Sequence, residues 1–195
     1  MNKIKQSGSP QRGQGILRLM VIIIGSMVMT GCDVSRNWTE EVRLADGSLI
    51  VIKRKMVRER FGEPGHPGRV LRQEIEYDKP GGVIRWSGDV DPLIFDLVSG
   101  RIVVVAYLST GEECRRYGYP ANQFMPYEFS NASWQPIQMK DLPDGLKFNL
   151  LRNAWNNGNQ GLITLAVKHR EDFNPPDWFK KFDKNQIHPC PNYSR

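Results

Sequence analysis

The sequence predicts an all-β or β-rich α+β fold, with antiparallel sheet built from hairpins and one short C-terminal helix. Three observations predict it. Alternating apolar and polar runs are separated by turn pairs such as Asp46-Gly47, Pro80-Gly81 and Ser99-Gly100, and such pairs between alternating runs mark hairpins. Val, Ile, Trp, Tyr and Phe are frequent and spaced by Gly, Pro, Asn and Asp, a composition that suits strands and turns. Strand-like runs recur at intervals of roughly 10–15 residues with turn chemistry between them, which argues for sheets.

The first run, Trp38 to Leu44, places Trp38, Glu40, Val42 and Leu44 on one face. Ala45-Asp46-Gly47-Ser48 turns the chain into a second strand, Leu49 to Arg58, whose latter half is strongly basic. Phe61 to Gly68 contains Pro64, Gly65, Pro67 and Gly68 and reads as a loop. Val70 to Tyr77 alternates as a half-buried strand, and Lys79-Pro80-Gly81-Gly82 leads into Val83 to Trp86. Leu93 to Val98 and Ile102 to Leu108 form a hairpin whose second, unbroken apolar strand should be central and buried on both faces.

From Thr110 to Pro136 the chain is rich in aromatic residues, Pro and Asn, in a region with little periodicity. Asp141 to Gly145 is a turn, and Leu146 to Trp155 suits a short helix or a strand. Leu162 to His169 reads as a last buried strand. Asp172 to Phe182, with Pro175-Pro176-Asp177 ahead of Trp178, Phe179 and Phe182, suits the short helix.

Chemistry-bearing motifs are sparse. His66, His169 and His188 are the only histidines, and no HExxH, GxSxG or glycine-rich phosphate motif is present. The favoured reading is a binding or structural module with no catalytic residues, metal or cofactor. The alternative is a hydrolase in which His66, in the Gly/Pro loop, works with Asp91 or Glu112 across a cleft. Asp89 and Asp91 before Pro92 otherwise read as a turn, and Glu112-Glu113 as a solvated loop. Lys53, Arg54, Lys55 and Arg58 form a candidate contact for an anionic surface, where each basic residue is worth ~1 kcal/mol. The blander reading, which the pattern favours, is a polar strand face and an edge guarded by charge.

The N-terminus is a region apart. Met1 to Gln14 holds Lys3, Lys5 and Arg12 and no acidic residue, and Ile16 to Met29 is apolar save for Arg18. The stretch ends on Met29-Thr30-Gly31-Cys32. A positive segment, an apolar segment of roughly 7–15 residues and small residues at the cut form the secretory pattern. The apolar segment is short of the ~20 residues that span a bilayer.

Residues 29–32 resemble the lipobox of bacterial lipoproteins: an aliphatic residue, a small one, Gly or Ala, then the Cys that is cleaved at and acylated. Met29 stands where Leu is usual. The resemblance covers residues 1–32 only. It implies a signal peptide at 1–31, a lipid anchor on Cys32 with a short tether over 32–36, and a single β-rich exported domain at 37–195 with a C-terminal tail. It further implies the lipid bilayer as a partner, with an envelope protein or cell-wall polymer as the domain's own. Asp33 resembles the residue that retains some lipoproteins at the inner membrane, which favours its periplasmic face over the outer membrane.

Removal of residues 1–31 lowers the formal charge from +6 to +2, with 23 basic residues against 21 acidic. Bulk charge therefore predicts no nucleic-acid partner. Two cysteines remain, Cys114 and Cys190, and an even pair in an oxidising compartment predicts a disulfide. The prolines of His188-Pro189-Cys190-Pro191 suit a stiff tail better than a metal loop.

Overall fold

The computed structural model describes residues 33–60, 68–151, 161–170 and 182–190. β1 (Val34–Arg43) and β2 (Leu49–Arg58) pair in unbroken register, from Val34 opposite Arg58 to Arg43 opposite Leu49. Their turn closes as Leu44 N–H donates to Ser48 C=O, with Gly47 at φ +87°, a left-handed conformation that glycine adopts without steric cost. β3 (Val70–Lys79) and β4 (Gly82–Gly88) follow as a second hairpin, and β9 (Leu162–Ile163) adds alongside β1 in parallel. The first sheet thus runs β4-β3-β2-β1-β9.

The second sheet is β5-β6-β7-β8. β5 (Asp91–Val98) and β6 (Arg101–Tyr107) meet at Ser99 and Gly100, both with positive φ, the primed geometry that matches strand twist. β7 (Phe124–Ser130) and β8 (Ser133–Pro136) complete it. The central position expected of the apolar run is found: β6 lies between β5 and β7 with Ile102 to Ala106 buried.

The sheets stack as a sandwich. Val42, Ile52, Ile75, Ile84 and Trp86 of the first meet Phe95, Val104 and Ala106 of the second in one core. The other face of the second sheet is covered as well, where Val103, Val105 and Phe124 pack with Leu142, Leu146 and Phe182. That double burial explains why β6 is apolar without a break from Ile102 to Ala106 instead of alternating. A third cluster, Trp38, Met56, Leu151 and Ile163, continues the inner face of the first sheet past the end of the second.

The structure departs from the sequence expectations at four places. β1 begins at Val34, not Trp38, because β2 is long enough to offer Lys55 to Arg58 as partners for residues 34–37. Residues 34–36 of the expected tether therefore belong to β1. Residues 110–136 are regular: they form α1 (Gly111–Arg116) and the β7–β8 hairpin. A capping box starts α1, the Thr110 hydroxyl accepting from Glu113 N–H while the Glu113 carboxylate accepts from Thr110 N–H. The β7–β8 turn places Asn131 and Ala132 at φ 50° and 60° without a glycine.

Leu162 to His169 is not a strand throughout. It pairs for two residues and becomes α2 (Leu165–Arg170), started by the Thr164 hydroxyl, which accepts from Val167 N–H, and by the Glu41 carboxylate, which accepts from Leu165 N–H. Residues 146–151 form neither a helix nor a regular strand; they line the β5 edge instead, with Asn149 and Leu150 N–H donating to Leu93 C=O. The Asn149 side chain accepts from Phe95 N–H and donates to the carbonyls of Phe95 and Arg43, satisfying an edge that would otherwise pair with other chains. The loop at 61–67, and the predicted helix from Asp172 up to residue 181, lie outside the described residues.

Candidate functional site

Alternation along β1, β2 and β3 points every second side chain into the sandwich, and three of the buried positions are polar: Glu40, Arg54 and Gln73. Glu40 and Arg54 are fully buried, with Arg54 Nη1 2.7 Å from Glu40 Oε1. Arg54 Nη2 donates to Gln73 Oε1 at 3.0 Å, and Gln73 Nε2 donates in turn to Asp91 Oδ1. From α2, Lys168 Nζ reaches Glu40 Oε2 at 2.7 Å and the Asn149 carbonyl at 3.0 Å. Leu151 N–H donates to the same Glu40 oxygen. Two cations and two carboxylates thus share one buried cluster of zero formal charge, joining both sheets to Asn149, Leu151 and Lys168.

The electrostatics follow from burial. Desolvation pulls the Arg54 guanidinium below its ordinary value, opposed by Glu40 and Asp91, and a guanidinium starts so high that it remains charged. Desolvation likewise lowers the Lys168 ammonium, opposed by Glu40, with Arg54 lowering it further. The Arg54 guanidinium lies 5.1 Å from the centroid of the Trp38 ring, a cation–π contact. Among the described residues Arg54 Nε and Trp38 Nε1 are buried without a hydrogen-bond partner; a buried ion pair is weak evidence for added stability, and this one joins both sheets to α2, so the cluster reads as a brace.

Arg54 is therefore no contact for an anionic surface: strand parity sends it inward, to Glu40. Lys53 and Lys55 lie on the outer face of the first sheet, where Lys53 pairs with Glu76 and Asp78, and Lys55 with Glu74. Arg72 and Arg85 extend this ladder to Glu74 and Glu76. A shallow groove of about 380 Å³ runs between Asn37, Thr39, Lys53, Lys55, Glu74 and Glu76. Its charges are mutually neutralised. Arg58, at the end of β2, contacts Met56 Sδ and the Gly68 carbonyl.

The end of the sandwich that bears Val34 has a different character. The register sets Val34 opposite Arg58 and Glu59 N–H against the Arg69 carbonyl, so residues 58–60 and 69–72 cluster there. α1 lies against the same end through Arg69 with Glu112 at 3.3 Å and Arg116 with Asp89. The Asp89 carboxylate also accepts from the Tyr117 hydroxyl, and burial first, then Asp89, raises that phenol. Cys114 of α1 is bonded to Cys190, so the predicted disulfide is present and holds residues 186–190 beside Gln123.

The residues of the hydrolase alternative are not brought together by anything described. His66 lies outside the described residues; Asp91 is buried under Gln73, whereas Glu112 is exposed and paired with Arg69. Glu113, expected in a solvated loop, is buried as the capping residue of α1, and burial raises its carboxyl. Among the described residues no group of His, Cys, Asp or Glu is placed to hold a metal ion, and no helix is long and apolar enough to cross a membrane. The residues that sequence reasoning missed are Glu40, Gln73 and Lys168. The first two carried a signal: each is a polar residue at the inward parity of an apolar stripe.

These features define a class, a disulfide-pinned two-sheet β-sandwich braced by a buried ionic cluster. No protein-family model, no curated protein and no solved structure matches this chain.

Proposed function

We propose that this chain is an exported bacterial lipoprotein, held in a membrane by acylated Cys32, whose sandwich serves as a non-catalytic binding or bracing module at the membrane surface. The observation that carries the reading is the meeting of a lipobox with a strand: Met29-Thr30-Gly31-Cys32 is separated from β1 by Asp33 alone. Two peptide steps from Cys32 to Val34 reach at most ~7 Å. Such a domain has almost no freedom to explore the envelope, which suits bracing or local capture over distant search. The Cys114–Cys190 disulfide supports an oxidising destination. Asp33 beside the anchor favours the periplasmic face of the inner membrane.

The test is the mass of the mature N-terminus. Protein extracted from membranes should begin at Cys32 and carry acyl mass there, and a Cys32→Ser chain should keep residues 1–31 and take up no labelled palmitate. A mature protein that begins elsewhere, or bears an unmodified Cys32, would overturn the reading.

A further inference from the structure

We infer that the outer face of the first sheet is a homodimer interface, packing on the same face of a second copy about a two-fold axis that runs along the strands. The inference rests in part on the lipid anchor proposed above, which fixes the end that each copy turns to the bilayer. The second sheet is covered on both faces, whereas none of the outward side chains of β2, β3 and β4 is buried. Among the described residues six large apolar side chains are exposed, and four of them stand on this face. They are Leu49 and Val51 of β2, Val83 of β4, and Leu162, which register sets beside the outward Thr39. The four strands β1 to β4 span roughly 19 by 30 Å, about 600 Å² in projection, comparable with the ~800 Å² per partner of a standard interface.

Charge selects the occupant and its orientation. Register places Lys53 beside Glu76 and Lys55 beside Glu74, so β2 presents a cationic column and β3, with Asp78, an anionic one. A two-fold axis across the strands would lay β2 on β2 and β3 on β3, like charge on like, which is repulsive. An axis along the strands, between β2 and β3, lays each lysine column on the other copy's glutamate column at unchanged height. Lys53 then faces Glu76 of the second copy and Lys55 faces its Glu74. Each lysine thereby gains a second carboxylate, in a square of alternating sign that is isologous by symmetry. The β3 and β4 side chains of the second copy enter the groove over β1 and β2, its Arg85 above Thr39. Its Val83 comes beside Val51, so the exposed apolar residues of the two copies meet. Asp78 and Arg72, at the ends of the β3 column, fall over Val51 and Val57 and keep their own neighbours Lys53 and Glu74. The same axis keeps both copies the same way up. Both Val34 ends then lie at one end of the dimer, each within ~7 Å of its own Cys32, so both anchors enter one bilayer. The axis across the strands would turn one anchor away from it.

The experiment reconstitutes the acylated full chain into phosphatidylcholine vesicles at low surface density and crosslinks introduced cysteines with a short bis-maleimide. Cys32 is acylated and Cys114 is bonded to Cys190, so the introduced thiol is the one that reacts. A Thr39→Cys chain mixed with an Arg85→Cys chain should crosslink about tenfold more than either chain with itself, because stacked faces lie ~10 Å apart while the two copies of Thr39 are three strands, ~14 Å, further aside. Lys147→Cys, on the exposed part of the segment that covers the second sheet, gives the yield of random collision. Reversing both columns together (Lys53→Glu, Lys55→Glu, Glu74→Lys, Glu76→Lys) on the Arg85→Cys chain alone should abolish the mixed crosslink. Reversing them on both chains should restore it, since the copies are then complementary again. A mixed yield no higher than that of Lys147→Cys, or equal crosslinking of Thr39→Cys with itself, would overturn the inference while leaving the anchor intact. A crosslink that survives reversal on one copy, or fails to return on reversal of both, would do the same. Absence of acyl mass on Cys32, read from the same peptide map, would overturn the anchor itself.

Discussion

Replacing Lys168 by Met tests whether the buried cluster braces the domain. The ammonium and the Glu40 carboxylate are 2.7 Å apart with both side chains nearly inaccessible. At the effective dielectric of about 20 that suits buried sites, that separation corresponds to about 6 kcal/mol of attraction. Relief of the Lys168 desolvation offsets part of it, and Met fills much of the same volume. Breaking one partner of a buried pair costs about 3–5 kcal/mol by experience elsewhere, and the present geometry falls in that range because Glu40 keeps Arg54 and Leu151 N–H. Urea unfolding should report a loss of this size with an unchanged m-value, and Tm should fall by roughly 6–20 °C. The decisive measurement is the cycle with Glu40→Gln. Either single change leaves one buried charge uncompensated, whereas the double variant restores a neutral cluster of Arg54 and Asp91. The double should therefore cost at least about 2 kcal/mol less than the sum of the singles. Strict additivity, or a Lys168→Met variant within about 1 kcal/mol of wild type, would refute the reasoning.

Two further outcomes follow from the sheets and their ties. Asp96 is buried and accepts from Ala45 N–H, and desolvation raises its carboxyl to about 6, well above the ordinary aspartate value of about 3.8. Its contribution to stability is therefore full below pH ~4 and lost as pH rises through ~6, by about 3 kcal/mol in all. Asp96→Asn, which keeps one acceptor for Ala45, should flatten the unfolding free energy between pH 4 and 6 relative to wild type; parallel pH profiles would show that Asp96 does not titrate there. Replacing Cys114 and Cys190 together by Ser opens a link across 76 residues and should cost about 4 kcal/mol, checked by urea unfolding of both proteins under non-reducing conditions.

Hairpins were legible wherever the turn chemistry was glycine or proline. Asp46-Gly47, Pro80-Gly81 and Ser99-Gly100 each announce a reversal, and each is found between paired strands. The β7–β8 hairpin was illegible because Asn131 and Ala132 take left-handed backbone without the residue that marks it. α1 was readable from Thr110 and Glu113, a capping box hidden in an aromatic-rich stretch. Residues 162–169 misled because a short apolar run does not separate strand from helix, and the capping by Thr164 and Glu41 decided it. The site was half legible. Parity alone placed Glu40 with Trp38 and Val42, and Arg54 with Ile52 and Met56, but a charge read by composition looks like surface. Lys168 was beyond reach, since its partner lies 128 positions earlier in the chain.

The position of β1 sets the order in which the domain can mature. It is the earliest strand, yet its far side is completed only by β9, with Thr39 set beside Leu162 and Glu40 beside Ile163. The β1–β2 hairpin can form as soon as residue 58 is free, but until α2 arrives it holds Glu40 and Arg54 on a face that lacks Lys168 and Leu151. Contacts of such long sequence separation are slow to form, because loop closure must precede their reward. A chain of this topology can make its first hairpin while its sheet is still unfinished. The waiting face sets the Glu40–Arg54 pair among Trp38, Val42, Ile52 and Met56, so most of its apolar surface is covered only when the later elements close over it.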